Sequence, residues 1–248
     1  MKPFLFLGTR SEDDVADGEY AAVLGFSGLA EAELHRHRLE TDPLPSIDLA
    51  DWSGIVLGGG PFNVSDAEDS KSPTQLRVEA ELRGLAARVV AADFPFLGAC
   101  YGTGTLGTMD GGVVDRRFGE PIGPTPVALT DDGIADPLFG VLPREFIAFL
   151  GHKEAVSRLP AGAVRLALSA TCPVQAFRIG ANVFATQFHP ELDVPQLVRR
   201  IEAYEHHGYF EPHELESVIA TASSAVVTEP PKLLARFVVL SRGSGQRA

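Results

Sequence analysis

Phe96-Leu97-Gly98-Ala99-Cys100-Tyr101-Gly102-Thr103-Gly104 is the stretch on which the fold turns. Pro95 to Ala99 form a run too short for a helix and suited to a buried strand. Cys100 follows, with glycine two positions before it and two after, and a glycine-rich helix start beyond. A strand that passes through G-x-C-x-G into a helix is a nucleophile elbow with sulfur in place of oxygen. The turn is tight, so Gly98 and Gly102 remove side chains that would collide. The thiol is then expected at the carboxyl end of a sheet, where open α/β proteins keep their sites. A helix N-terminus at this point is expected to lower the thiol pKa. The N–H of Tyr101 is the natural first donor to an oxyanion. A lone cysteine is often just buried and inert; the strand, elbow and helix together favour chemistry.

Outward from the elbow, short apolar runs alternate with helical segments. Pro3–Gly8 and Gly54–Leu57 are expected as buried strands, and Glu33–Leu39, which alternates residue by residue, as a strand nearer an edge. Glu12–Leu24 predicts an amphipathic helix. Ser72 starts another that runs to about Val90, with Pro73 at its first position and Gln75 completing a capping box. The second half is richer in strands: Pro126–Leu129, Glu145–Leu150, Ala163–Ser169, Val174–Ile179 and Val183–Gln187. Helices at Pro195–His207, stopped by Gly208, Pro212–Ala220 and Pro231–Leu240 close the chain, and Ser241–Ala248 is expected to fray. Strands alternating with helices imply a doubly wound, mostly parallel α/β sheet with a small antiparallel extension. The expected organisation is one domain over residues 1–208 and a helical extension over 209–248 packed on it.

Composition narrows the function. The chain has 248 residues, 45% of them apolar and 22% charged, which suits a globular protein with a substantial core. A formal net charge of −12 disfavours nucleic acid and anionic lipid as partners. Cys100 and Cys172 are the only cysteines, which makes no disulfide framework and points to a reducing, cytoplasmic compartment. The apolar run in MKPFLFLGTR is too brief for a signal sequence, and no stretch reaches the length needed to cross a bilayer.

Two further segments complete a site. In Ala185-Thr186-Gln187-Phe188-His189-Pro190-Glu191 a strand ends, a histidine follows and a carboxylate comes two residues later. Pro190 biases His189 toward an extended backbone. A thiol nucleophile needs an imidazole base, and the imidazole needs an acceptor on its other nitrogen, which Glu191 can be. Gly58-Gly59-Gly60-Pro61 follows a buried strand at the same sheet edge as Cys100, and its N–H groups can approach an oxyanion closely. The G-x-G-x-x-G spacing of a dinucleotide loop is absent.

The GGGP loop, the GACYG elbow and the QFHPE segment, in this order, resemble the class I, triad-type glutamine amidotransferases. The resemblance covers roughly Phe4 to Arg200. Gly151-His152-Lys153-Glu154-Ala155-Val156 is similar to part of the glutaminase of GMP synthase. The resemblance implies a flavodoxin-like sheet and a Cys100–His189–Glu191 site. It implies attack of Cys100 on the side-chain amide of glutamine, a γ-glutamyl thioester, and release of glutamate and ammonia. Gly59 or Gly60 would pair with Tyr101 in the oxyanion hole. No cofactor and no metal is expected. Because the chain carries neither a synthetase domain nor a P-loop, ammonia would pass to a separate synthetase chain or be released.

One departure motivates alternatives. The family usually has glutamine four residues after the nucleophile, where it helps hold the substrate; here that position is Gly104, preceded by Thr103. The missing side chain suggests room for a larger γ-glutamyl compound, hence a γ-glutamyl hydrolase. A non-catalytic binding module on the same fold is the remaining alternative. His35 and His37 share a strand face without a third metal ligand, His206 and His207 suit a helix end, Cys172 and Trp52 are expected to be structural, and His152 carries no assigned role.

Overall fold

The computed structural model describes residues 2–206 and 208–244. In chain order the elements are β1 (Phe4–Gly8), α1 (Asp13–Ser27), β2 (Leu34–Arg38), β3 (Gly54–Leu57), α2 (Pro73–Ala91), β4 (Phe96–Ala99), α3 (Tyr101–Gly107), β5 (Val113–Asp115), β6 (Glu120–Leu129), α4 (Asp131–Ala135), β7 (Glu145–His152), β8 (Ala155–Arg158), β9 (Val164–Leu168), β10 (Ala176–Ile179), β11 (Val183–Thr186), α5 (Val194–Ala203), α6 (Leu215–Ser224) and α7 (Lys232–Ser244).

Nine strands form one sheet in the order β2-β1-β3-β4-β11-β10-β9-β6-β7, and β5 and β8 form a separate antiparallel ribbon. From β2 to β11 all neighbours are parallel; beyond β11 the pairings are antiparallel. This is the doubly wound α/β fold with an antiparallel extension that the sequence pattern implies. β1 shows why the sheet is covered on both sides. Its five residues are all buried, as a central parallel strand requires. Phe4 and Phe6 pack with α1 and α7 on one face, while Leu5 and Leu7 pack with α2 and α3 on the other. The expected edge strand is β2, at the end of the sheet.

Local signals set most element ends. The Ser72 hydroxyl accepts the Gln75 N–H, as expected of a cap. The reciprocal half of the capping box does not form, because the Gln75 amide donates instead to the Asn63 carbonyl and to Glu79. The first helix extends to Ser27, where Gly28 adopts φ 70°, the left-handed stop that suits glycine.

Other boundaries differ from expectation for tertiary reasons. β6 begins at Glu120 rather than Pro126 and runs through Pro121, Pro124 and Pro126. Only Ala128 and Leu129 pair with β9, so the earlier residues have one neighbour, β7. Proline is tolerated there because one side of the strand needs no donor. The helix expected to reach His207 ends at Ala203; His207 itself lies outside the described residues. Gly208 has φ 72°. α7 continues to Ser244 instead of fraying from Ser241, because Phe237 and Ser241 are buried; residues 245–248 lie outside the description. The short β5, β8 and α4 carry too few patterned residues to be expected from the sequence.

Candidate active site

β4 and β11 are parallel neighbours, with Ala99 opposite Thr186. Both chains therefore leave the sheet at the same rim, and the Cys100 N–H donates to the Thr186 carbonyl at 2.7 Å. Cys100 takes φ 49° and ψ −87°, a region that non-glycine residues enter at a cost of about 1–3 kcal/mol. A Cβ on Gly98 would stand 2.9 Å from the Gly102 Cα, so the elbow requires glycine at position 98; the expected crowding at Gly102 is not there, since a Cβ on it would meet nothing nearer than a Leu57 methyl at 3.5 Å. α3 starts at Tyr101, whose N–H has no intrahelical acceptor.

His189 follows β11 by three residues. Its N–H donates to the Phe149 carbonyl at 3.0 Å, and its Nδ1 lies 2.7 Å from Glu191 Oε1. The same cavity is lined by Cys100, His189 and Gly60. His189 Cε1 and Cys100 Cβ lie 2.4 and 3.3 Å from one point, the position that a Cβ on Gly59 would occupy. The structure thus brings the three expected residues and the glycine loop together. Within that loop the Gly58 N–H is taken by the Leu7 carbonyl, which leaves the next two N–H groups nearer the rim.

Behind the imidazole lies a buried ionic network that the sequence reading missed. Arg200 donates to Glu191 at 2.9 Å and to Glu19 at 3.1 Å, and its other amino nitrogen faces His189 Nδ1 at 3.1 Å. Arg10 donates to Glu19 at 3.0 Å and to the Tyr204 hydroxyl at 2.8 Å. All these side chains are buried. A signal existed: on α5, Arg200 falls on the face of Leu197, Ile201 and Tyr204 at helical spacing, which is an unusual place for an unpaired arginine.

The network sets protonation. Burial pushes the Glu191 carboxyl up, but His189 and Arg200 outweigh it and hold the group well below the ordinary carboxylate range. Burial lowers the His189 pKa, Glu191 pulls it up, and Arg200 and Arg10 push it down again, with a net fall. Burial drives the Cys100 thiol up to about 12, with Arg10 pulling it down and Glu154 and Glu191 pushing it up. Cys100 keeps part of its surface open to the cavity, so water or substrate there moderates this rise. Burial thus opposes the thiolate expected from the helix N-terminus. The upward shift of Cys100 and the downward shift of His189 both favour the neutral forms, a pairing that suits proton transfer from thiol to imidazole.

A second cysteine, histidine and glutamate also meet: Cys172, His152 and Glu120 offer ligand-type atoms within 4.8 Å of one another. Both His152 nitrogens are engaged, Nδ1 with the Glu154 carbonyl and Nε2 with Glu120, each at 2.9 Å. Glu120 also accepts from Ser169, Thr171 and Gln175. The Cys172 thiol is fully buried and directed at the Val174 carbonyl. This group joins β6 and β7 to the turn before β10 and has no free base. Of the remaining residues, Trp52 packs edge-on against His35 and His37 contacts the Asp42 carbonyl.

The space expected beside Gly104 is filled. A Cβ there would lie 3.0 Å from Glu154 Oε1 and 3.2 Å from a Val64 methyl. The departure from glutamine at this position therefore makes no room for a larger substrate; another side chain occupies it. Among the described residues, no helix is long and apolar enough to cross a membrane.

The class I glutamine amidotransferase family profile matches residues 26–201. Over 149 residues, 60% of this chain, the sequence is 34% identical to the glutamine-hydrolyzing GMP synthase of Aeropyrum pernix, of which it covers 26%. The chain thus spans about a quarter of that relative. It is 32% identical over 154 residues to a glutamine-hydrolyzing GMP synthase subunit of Methanocaldococcus jannaschii, covering 61% of this chain and 72% of that one. A glutamine amidotransferase structure from Thermotoga maritima shares the fold, with a TM-score of 0.72 over 97% of this chain and 96% of that one at 22% identity. With the elbow, the glycine loop and the histidine segment on one rim, and with the family profile spanning most of the sheet, the chain belongs to the class I glutamine amidotransferases.

Proposed function

We propose that the protein hydrolyses the side-chain amide of glutamine, with Cys100 as nucleophile, His189 as general base and acid, and Glu191 as the residue that orients the imidazole. The Cys100 sulfur adds to the amide carbon as its proton passes to His189 Nε2. The tetrahedral oxyanion is held by the N–H of Tyr101 and that of Gly59 or Gly60, a donor of this kind being worth about 3 kcal/mol. His189 gives its proton to the departing nitrogen, ammonia leaves and a γ-glutamyl thioester remains. Water, deprotonated by His189, then releases glutamate and restores the thiol.

The observation that carries this reading is the strained Cys100 elbow, φ 49°, on the same cavity wall as an imidazole bonded to a carboxylate at 2.7 Å. We further propose that ammonia passes to a separate synthetase chain, a reading supported by similarity to a protein named as one subunit of a glutamine-hydrolyzing GMP synthase. A cytoplasmic location suits two free cysteines, one of them the nucleophile.

Glutamate release from glutamine, compared between wild type and Cys100→Ser, tests the core of the proposal. Turnover is expected in the first and none in the second. Equal rates would refute the assignment of Cys100.

A further inference from the structure

Arg10 is a buried cation with one donor group to spare. It follows β1 by two residues, and the neighbouring Thr9 hydroxyl donates to the Gly59 carbonyl at 2.8 Å, which ties this loop to the glycine loop. The Arg10 side chain is only 4% exposed. Its Nε donates to Glu19 at 3.0 Å and its Nη1 to the Tyr204 hydroxyl at 2.8 Å. Among the described residues its Nη2 has no acceptor. Arg200 is different, because its two amino nitrogens are engaged with Glu19, Glu191 and His189. A charged donor that is buried without an acceptor gains when negative charge arrives.

Position fixes which negative charge. Arg10 Nη2 and the Cys100 Cβ lie 3.0 and 3.3 Å from one point, the place that a Cβ on Gly59 would take. Arg10 lines the same cavity as Cys100 and His189. Four charges act on the thiol, those of Arg10, Glu154, Glu191 and Arg200, and Arg10 is the strongest of them; the Tyr209 phenol also interacts with it. On His189, Arg10 ranks behind Glu191 and Arg200. Its field therefore favours a sulfur anion more than it opposes an imidazolium. Resting on the reading that Cys100 is the nucleophile, we propose that Arg10 is the positioning residue that sets a positive charge beside the sulfur, where its spare N–H stabilises the thiolate as the proton leaves for His189 and draws small carboxylate-bearing reactants into the cavity. Glu19 and Tyr204 hold the guanidinium in that orientation.

The test alkylates Cys100 in the full chain with iodoacetate, an anion, and with iodoacetamide, a neutral reagent of similar size. In both reactions the sulfur bonds to carbon and iodide leaves. Cys172 is fully buried, and mass spectrometry assigns the adduct. N-acetylcysteine supplies the iodoacetate-to-iodoacetamide rate ratio of a thiol with no neighbours. In wild type this ratio is expected to exceed that reference about 10-fold, the equivalent of one pKa unit of interaction. Arg10→Gln is expected to lose the excess, and its iodoacetamide labelling should rise with pH about one unit later. Arg10→Lys keeps the charge and should restore most of the excess. Tyr204→Phe removes a partner of the guanidinium without removing its charge and should leave the ratio unchanged. A wild-type ratio equal to the reference overturns the proposal without any variant. So does an excess that survives Arg10→Gln, or one lost equally in Tyr204→Phe, which marks a structural role alone. Alkylation needs no glutamine, so the two readings separate. A protein that shows the excess but never releases glutamate from glutamine refutes the hydrolase reading and leaves the role of Arg10 standing; turnover without the excess refutes the role of Arg10 alone.

Discussion

Replacing Gly59 by alanine probes the site with a single methyl group. The new Cβ would stand 2.4 Å from His189 Cε1, 3.0 Å from an Arg10 amino nitrogen and 3.3 Å from the Cys100 Cβ, where ordinary contact begins at 3.4 Å. The imidazole must therefore retreat by about 1 Å. It cannot do so freely: Nδ1 is bonded to Glu191 at 2.7 Å, and the backbone N–H is fixed to Phe149 at 3.0 Å. Gly59 is not among the glycines with positive φ, so alanine meets no backbone penalty and the cost is steric. The N–H at position 59 also survives. Overpacking of this kind costs about 1–3 kcal/mol of stability, and a displacement of about 1 Å at a reacting group costs about 100-fold in rate. The expected phenotype is a folded protein whose glutamate release falls about 100-fold, chiefly in kcat, with a urea midpoint modestly lowered. Coupled glutamate detection and urea unfolding followed by fluorescence measure the two effects. Wild-type turnover in a protein whose stability has fallen as expected would show that the imidazole does not act from where the structure puts it.

Further outcomes follow from the same geometry. Arg200→Met leaves the buried Glu191 without an arginine counter-charge, while Glu19 keeps Arg10, and should cost about 3–5 kcal/mol in urea unfolding. In the same variant the acid limb of the kcat/KM profile should move to higher pH. Burial keeps His189 below its ordinary value and Arg200 adds to this, so without the arginine the imidazole takes up its proton, and stops serving as a base, at a higher pH. Cys172→Ser should keep glutamine turnover while Cys100→Ser abolishes it, because both His152 nitrogens are already engaged; the reverse pattern would transfer the chemistry to the second cluster. Gly104→Gln, which restores the side chain usual in the family, should lower turnover rather than raise it. Its Cβ meets Glu154 at 3.0 Å and Val64 at 3.2 Å, and a steady-state gain in kcat/KM would contradict that crowding.

Much of the site was legible because its chemistry is local. Gly98 announces a crossing too tight for a side chain, and a Cβ there would stand 2.9 Å from the Gly102 Cα, whereas Gly102 itself has room for one. His189 and Glu191 are two residues apart, so their 2.7 Å contact needs only the turn that Pro190 helps to set. Ser72 caps its helix through its own neighbour Gln75. Where a residue answers to distant partners, local reading failed. Gln75 left its capping box for Asn63 and Glu79. The prolines of β6 hid a strand that is allowed because most of it has one neighbour.

The sequence by itself determined the alternation of strands and helices, the elbow at Cys100 and the imidazole–carboxylate pair at His189 and Glu191. Each depends on steric and hydrogen-bonding preferences that act over a few residues. Only the tertiary structure decided that β4 and β11 lie side by side, which brings thiol and imidazole to one cavity. It alone placed Arg10 and Arg200 against Glu19 and Glu191, raised the thiol toward about 12 and put Glu154 in the gap beside Gly104. These outcomes depend on burial and on charges brought together from distant parts of the chain. Desolvation and Coulomb energies are set by what surrounds a group in space, and the order of neighbours along the chain does not contain that.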